Sequence, residues 1–318
     1  MGRCYRHLTR DERIVIRTLL QEQRPLRYIA ESLGRCTSTI CREIKRNSGL
    51  RGYRPKQAQA KADVRRAKPR FRKMTEPVIA HIETKLVQDH SPEQISGRMK
   101  REIGVSISTY RIYQHVWEDK NNAGSLFEHL RIANGKKRRR RHGKSAGKST
   151  IPNRTGIEER PEIVAQNIRL GDWEADLVSG SRHRGYLVTL VERSTKRTRI
   201  GHVLHKTAGL VSAETIRLLA DQPGPVHTIT YDNGGEFAAH EKVNEALGCS
   251  SYFAQPYHSW ERGLNENTNG LIRQYFPKKM DLRDVSRDEI AFVEERLANR
   301  PRKTLDFMTP SEVTSQML

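Results

Sequence analysis

Asp172-Trp173-Glu174-Ala175-Asp176-Leu177-Val178 alternates acidic and apolar side chains. In the two-residue period of a β-strand, this puts Asp172, Glu174 and Asp176 on one face and Trp173, Ala175 and Leu177 on the other. A sheet face lined by acids is costly unless it meets solvent, a metal ion or bases. The stretch therefore predicts a strand that serves a core with one face and a site with the other. Tyr186-Leu187-Val188-Thr189-Leu190-Val191-Glu192 reads as a second strand and residues 198–205 as a third, with turns at 180–185 and 193–197. Residues 207–220 then read as a helix, 226–232 as a strand, 236–247 as a helix, 251–254 as a short strand and 263–275 as a helix. Three consecutive strands followed by alternating helices and strands predict a mixed α/β sheet.

Two more acids fall at suggestive places in that pattern. Asp232 ends the strand Val226-His227-Thr228-Ile229-Thr230-Tyr231-Asp232, and Asn233-Gly234-Gly235 after it allows a sharp turn. The carboxyl ends of strands are where α/β sheets collect ligands. Glu266 lies just inside the last helix, and Arg273, seven residues on, shares its face. A cation so placed can contact a DNA phosphate. Three carboxylates from distant stretches of one domain can hold two divalent metal ions, and two metals beside a phosphodiester mean cutting or joining nucleic acid. Periodicity alone leaves the first position open between Asp176 and Glu174, which share a face.

Charge supplies the substrate. Of 318 residues, 1–150 hold 36 Lys and Arg against 14 Asp and Glu, a net of +22, while 151–318 hold 22 against 23, a net of −1. A positive excess confined to one half predicts a polyanion-binding half joined to a near-neutral half with another task, and nucleic acid is the default partner. No stretch approaches the ~20 apolar residues of a membrane span. The four cysteines, Cys4, Cys36, Cys41 and Cys249, contain no Cys-x-x-Cys pair, which indicates neither a disulfide framework nor a zinc site and fits a reducing cytoplasm.

Within the basic half, Thr9-Arg10-Asp11-Glu12 reads as a capping box opening a helix with Ile14, Val15, Ile16, Leu19 and Leu20. Pro25 suits the first turn of a second helix, which stops at Gly34, and a third starts at Thr37 or Ser38 and runs through Arg46. A short helix, a glycine turn and a basic helix make a helix-turn-helix. Ser38, Thr39, Arg42, Lys45 and Arg46 are the expected DNA-binding residues, with Ile40 and Ile44 packing inward. Ser91-Pro92-Glu93-Gln94 opens a second such unit, whose next helix starts at Ser108 with Tyr110, Tyr113 and Trp117 expected in its core. Gly143 to Ser149 has the look of a phosphate-binding loop, but only three residues separate its glycines and no strand precedes them, so no nucleotide cofactor is expected.

These blocks together resemble the bacterial insertion-sequence transposases of the family numbered thirty, which have a retroviral-integrase-like, ribonuclease-H-like catalytic core. Leu33-Gly34-Arg35, Ser38-Thr39-Ile40 and Arg42 to Asn47 resemble its first helix-turn-helix, and Ser91 to Ile95 its second. Gly171 to Asp176, Asp232 to Phe237 and Trp260 to Arg273 resemble the three catalytic blocks, with 33 residues between Asp232 and Glu266. Asn299 to Leu305 and Thr309-Pro310 resemble the C-terminal signature. His258-Ser259 departs from the family's Ser-Pro, and Arg111 stands where a Thr is usual.

The resemblance implies a fold class of N-terminal all-α helix-turn-helix units followed by an α/β ribonuclease-H-like core. It implies Asp176, Asp232 and Glu266 as catalytic residues holding two Mg²⁺ ions, with Mn²⁺ a substitute, and so chooses Asp176 over Glu174. It further implies DNA as partner, both the element's terminal inverted repeats and a target. The expected assembly is at least a dimer, acting in the bacterial cytoplasm at the nucleoid. The expected domains are a first helix-turn-helix at 1–50, a basic linker at 51–74, a second helix-turn-helix at 75–132, a basic linker at 133–165 and the catalytic domain at 166–318. Two rival readings are a DNA-binding regulator with an inactive core and a metal-dependent nuclease without strand transfer.

Overall fold

The computed structural model describes residues 6–67, 73–131, 151–255 and 263–318. The basic run at 136–141 and the glycine-containing stretch at 143–149 lie outside the described residues, as does Trp260 to Arg262 of the third block. The described residues form two compact units, one up to Ala67 and one from Lys73 onward.

The first unit is four helices: α1 (Arg10–Gln21), α2 (Leu26–Ser32), α3 (Thr37–Asn47) and α4 (Pro55–Ala67). The Thr9–Glu12 capping box is present, with Thr9 N–H donating to the Glu12 carboxylate at 2.6 Å. Gly34 takes φ +61°, the left-handed turn that lets α3 follow α2 closely. Ile16, Ile29, Ala30 and Ile40 form the core. Ile14 and Val15, expected among the apolar positions of α1, are exposed at 47% and 38%. The stretch expected to be linker is different: α4 packs on α1 and α3 through Ala58, and Arg13, buried on α1, bonds both Glu43 of α3 (2.8 Å) and Gln59 of α4 (2.7 Å). Small alanines and a polar network hold α4, so it shows little apolar periodicity.

The second unit opens with α5 (Glu76–Val87), α6 (Pro92–Ile103) and α7 (Thr109–Asn121), packed around Ile82, Leu86, Ile95, Met99, Ile112 and Val116. Tyr110, Tyr113 and Trp117, expected in that core, are exposed at 72%, 39% and 45%. Ile112 and Val116 occupy the inward face of α7, and the aromatics fall on the other side of the helix. Helix α6 docks on the C-terminal segment: Arg98 makes a two-pronged ion pair with Glu312 (2.7 and 2.9 Å), Gln94 donates to Pro301 O (2.7 Å), and Gly97 lies against the Phe307 ring. The helices expected as a separate domain thus share one unit with the sheet. Residues 151–165, expected to be linker, include the short helix α8 (Glu162–Gln166) and a bridge from Gly156 to Phe253.

The sheet contains β1 (Asp172–Ser179), β2 (Tyr186–Glu192), β3 (Thr198–Val203), β4 (Thr228–Tyr231) and β5 (Ser250–Phe253), in the order β3-β2-β1-β4-β5. Strands β1, β2 and β3 are antiparallel, whereas β4 lies parallel to β1 and β5 parallel to β4. This is the mixed sheet that the element order predicts, in the ribonuclease-H-like arrangement that the resemblance implies. Helices α9 (Ala208–Ala220) and α10 (His240–Leu247) cover the face of Trp173, Ala175, Ile229 and Tyr231. Helices α11 (Gly263–Tyr275) and α12 (Arg287–Ala298) cover the other face around Val178, Leu187 and Ile200, and α13 (Pro310–Met317) closes the chain.

Candidate active site

The acid face of β1 is divided among three kinds of partner. Asp172 is buried, pairs with Arg169 (2.7 Å) and accepts from Thr228 Oγ1 (2.7 Å). Glu174 is 1% exposed and forms an ion pair with Arg193, which is 8% exposed. Asp176 is half-buried and opens onto a cavity of about 1400 Å³ that Glu266 also lines. The two residues that sequence periodicity cannot separate therefore sit in different surroundings: Glu174 is committed to an internal cation, Asp176 faces an open space.

Strand pairing brings the second acid alongside. The parallel ladder runs Asp172↔Thr228, Trp173↔Ile229 and Glu174↔Thr230, and Asp176 on β1 and Asp232 after β4 each lie two residues beyond its last pair. Asp232 is half-buried, and its Oδ1 accepts from Gly234 N–H at 2.8 Å, so the Asn-Gly-Gly turn fixes the carboxylate. Asn233 in turn donates to Ala254 O at 2.6 Å, which ties the turn to the end of β5.

Helix α11 carries the third acid and is fastened to β1 at intervals of four residues. Asn265 donates to Ala175 O (3.2 Å), Asn269 Nδ2 to Asp176 Oδ2 (2.5 Å), and Arg273 to Ser179 O (2.7 Å). Thr189 of β2 donates to the Asn269 side-chain oxygen at 3.2 Å, which fixes the amide so that its NH₂ faces Asp176. One helical face thus binds the strand, while Glu266, next to Asn265, stays exposed on the cavity side. Asn265 and Asn269 escaped the sequence reading. Their signal was an Asn at i and i+4 flanking the helix acid.

Arg273, expected to face DNA, is half-buried with guanidinium N–H groups donating to Ser179 O and Phe276 O, and burial holds its pKa below the usual guanidinium range. It still lines the cavity, as does Lys278. Among the described residues, no three His, Cys, Asp or Glu side chains stand grouped as metal ligands. The donor chemistry nonetheless fits a hard divalent cation, since all three acids offer carboxylate oxygen. In the first unit, Ser38, Arg42, Lys45 and Arg46 are exposed along α3 and Thr39 is half-buried, while Ile40 is buried. Their spacing places Ser38, Arg42, Lys45 and Arg46 on one helix face.

A helix-turn-helix domain ahead of a ribonuclease-H-like sheet fits the class of DDE-type transposases. Residues 4–47 match the helix-turn-helix domain family. Over 98% of this chain and 97% of the relative, the sequence is 42% identical to the transposase for insertion sequence element IS4351 of Bacteroides fragilis. It is 37% identical to transposase InsI for insertion sequence element IS30A of Escherichia coli strain K12, over 98% of this chain and 84% of the relative. The catalytic core domain of BIV integrase aligns with 46% of this chain and 93% of its own, at 19% identity and a TM-score of 0.35. The chain belongs to the IS30 family of insertion-sequence transposases. Enzymes of this kind use divalent metal ions.

Proposed function

We propose that this transposase binds the terminal inverted repeats of its own element and transfers the cut ends into target DNA at a site formed by Asp176, Asp232 and Glu266. The observation that supports the reading is the β1–β4 register, whose last pair lies two residues before both Asp176 and Asp232, with α11 fastened to β1 through Asn265 and Asn269. These three acids would hold two Mg²⁺ ions, or Mn²⁺ in their place. The chemistry such ions would supply there is activation of a water or a DNA 3′-hydroxyl and stabilisation of the leaving oxygen.

The chain's own part is preorganisation. Asn269 holds the Asp176 carboxylate from one side, and the Gly234 N–H holds that of Asp232. Because an element has two ends, the active assembly holds at least two copies of the chain, in the bacterial cytoplasm at the nucleoid. A regulator with an inactive core would have no use for these supports, and a simple nuclease would not join ends to target.

End recognition rests on α3. The basic face of Arg42, Lys45 and Arg46 suits the major groove, with Ser38 and Thr39 at the leading end of the helix. Arg42→Ala combined with Arg46→Ala is expected to weaken binding to the element's end by at least ~10-fold at fixed salt. Helix content should stay unchanged, because both side chains are exposed. An unchanged gel-shift affinity would remove α3 as the reader.

A further inference from the structure

Gly270 lies in the middle of α11, four residues after Glu266, where a glycine weakens a helix relative to alanine. The space its missing side chain leaves is taken by Arg131. A Cβ built on Gly270 would lie 2.3 Å from an Arg131 guanidinium nitrogen, far inside contact distance. Arg131 follows α7 and the short helical turn Leu126–His129, so it is contributed by the helical layer, not by the sheet domain. It is exposed and lines the same cavity as Asp176 and Glu266.

Among the described residues Arg131 has no carboxylate partner, although Asp89 and Glu128 line the same cavity. Asp89 is engaged elsewhere, accepting from Tyr275 OH at 2.9 Å and lying 3.6 Å from His129. Arg300 and Arg302, which burial chiefly holds below the usual guanidinium range, also feel the positive field of Arg131. An arginine seated against a helix backbone, beside other cations and facing an acid-lined cavity, matches a phosphate in geometry and charge.

We propose that Arg131, seated on Gly270, clamps a backbone phosphate of the DNA strand being processed, next to the bond that is cut. The inference rests on the reading of Asp176, Asp232 and Glu266 as the reacting site. It gives the helical layer a direct part in that site: α5–α7 deliver a side chain into the cavity from outside the sheet, and Gly270 is the notch that admits it. Arg131 is a positioning residue that touches substrate, so its loss should raise KM for DNA and leave kcat nearly unchanged.

The test uses the full-length protein and duplexes of the element's own end, with phosphates near the cut replaced one at a time by neutral methylphosphonates. Arg131→Ala should raise KM about tenfold and lower the salt slope of end binding by about one, the signature of one lost phosphate contact. At one methylphosphonate position the wild type should show the same loss, and Arg131→Ala should add nothing there, whereas a structural defect would multiply with every substitution. Arg131→Lys should recover most of the slope. Gly270→Ala should reproduce the KM defect with the arginine still present and the melting temperature no lower than wild type. Wild-type KM and slope for Arg131→Ala, or losses that multiply at every position, would overturn the clamp. A changed slope in a protein that cuts no end DNA would keep the phosphate contact of Arg131 but overturn the reading of the acids as the reacting site, and with it the placing of that contact beside the cut.

Discussion

Asp232→Asn is expected to abolish DNA cleavage and strand transfer while leaving binding to the element's end within about twofold of wild type. The substitution preserves shape and can keep the hydrogen bond from Gly234 N–H, since the amide oxygen still accepts. It removes the charge that a cation needs. Metal stabilisation of the reacting oxygens is worth several kcal/mol, so its loss is expected to lower the rate by at least ~10³-fold. End binding should survive because the residues proposed to read the groove lie on α3, in the other compact unit. Cleavage of a labelled end duplex and a gel shift on the same preparation check the two halves together. Joining at near wild-type rate would show that Asp232 holds no catalytic ion.

Arg193→Ala is expected to have the largest effect on stability. It would leave Glu174 buried without its guanidinium, on a strand flanked on both sides by other strands. Breaking a buried pair from one side typically costs about 3–5 kcal/mol. In a unit of this size that corresponds to a melting temperature roughly 10 °C lower. Replacing both partners with apolar residues of similar volume, Arg193→Met with Glu174→Leu, should restore most of the loss, because no unpaired charge remains. Thermal unfolding of the three proteins decides it. A single variant that melts with wild type would return Glu174 to contention as the first acid.

That contrast shows where the sequence was legible and where it was not. The alternation at 172–178 predicted the strand and its acid face, and the element order predicted the sheet, because both are local patterns of period two and period 3.6. Thr9–Glu12 and Ser91–Gln94 were legible as helix starts for the same reason. Separating Glu174 from Asp176 required a partner in the turn after β2, 19 residues away from Glu174, and no periodicity carries that. Helix α4 escaped because Ala58 and Ala62 bury too little apolar surface to make a visible stripe. The docking of α6 escaped because Gln94 and Pro301 meet across 207 residues. The aromatics of α7 were assigned to a core by residue type, whereas the helix phase assigns that place to Ile112 and Val116.

In the proposed function Asp176, Asp232 and Glu266 form one metal-dependent site that both cuts and joins DNA. Strand transfer by the full-length protein, with a pre-cut duplex of the element's own end and a supercoiled target plasmid, tests it most directly. In Mg²⁺ the account predicts joined product, none with EDTA, recovery with Mn²⁺, and none with Asp232→Asn in either metal. Joined product that survives EDTA, or that Asp232→Asn forms in Mg²⁺, would contradict it.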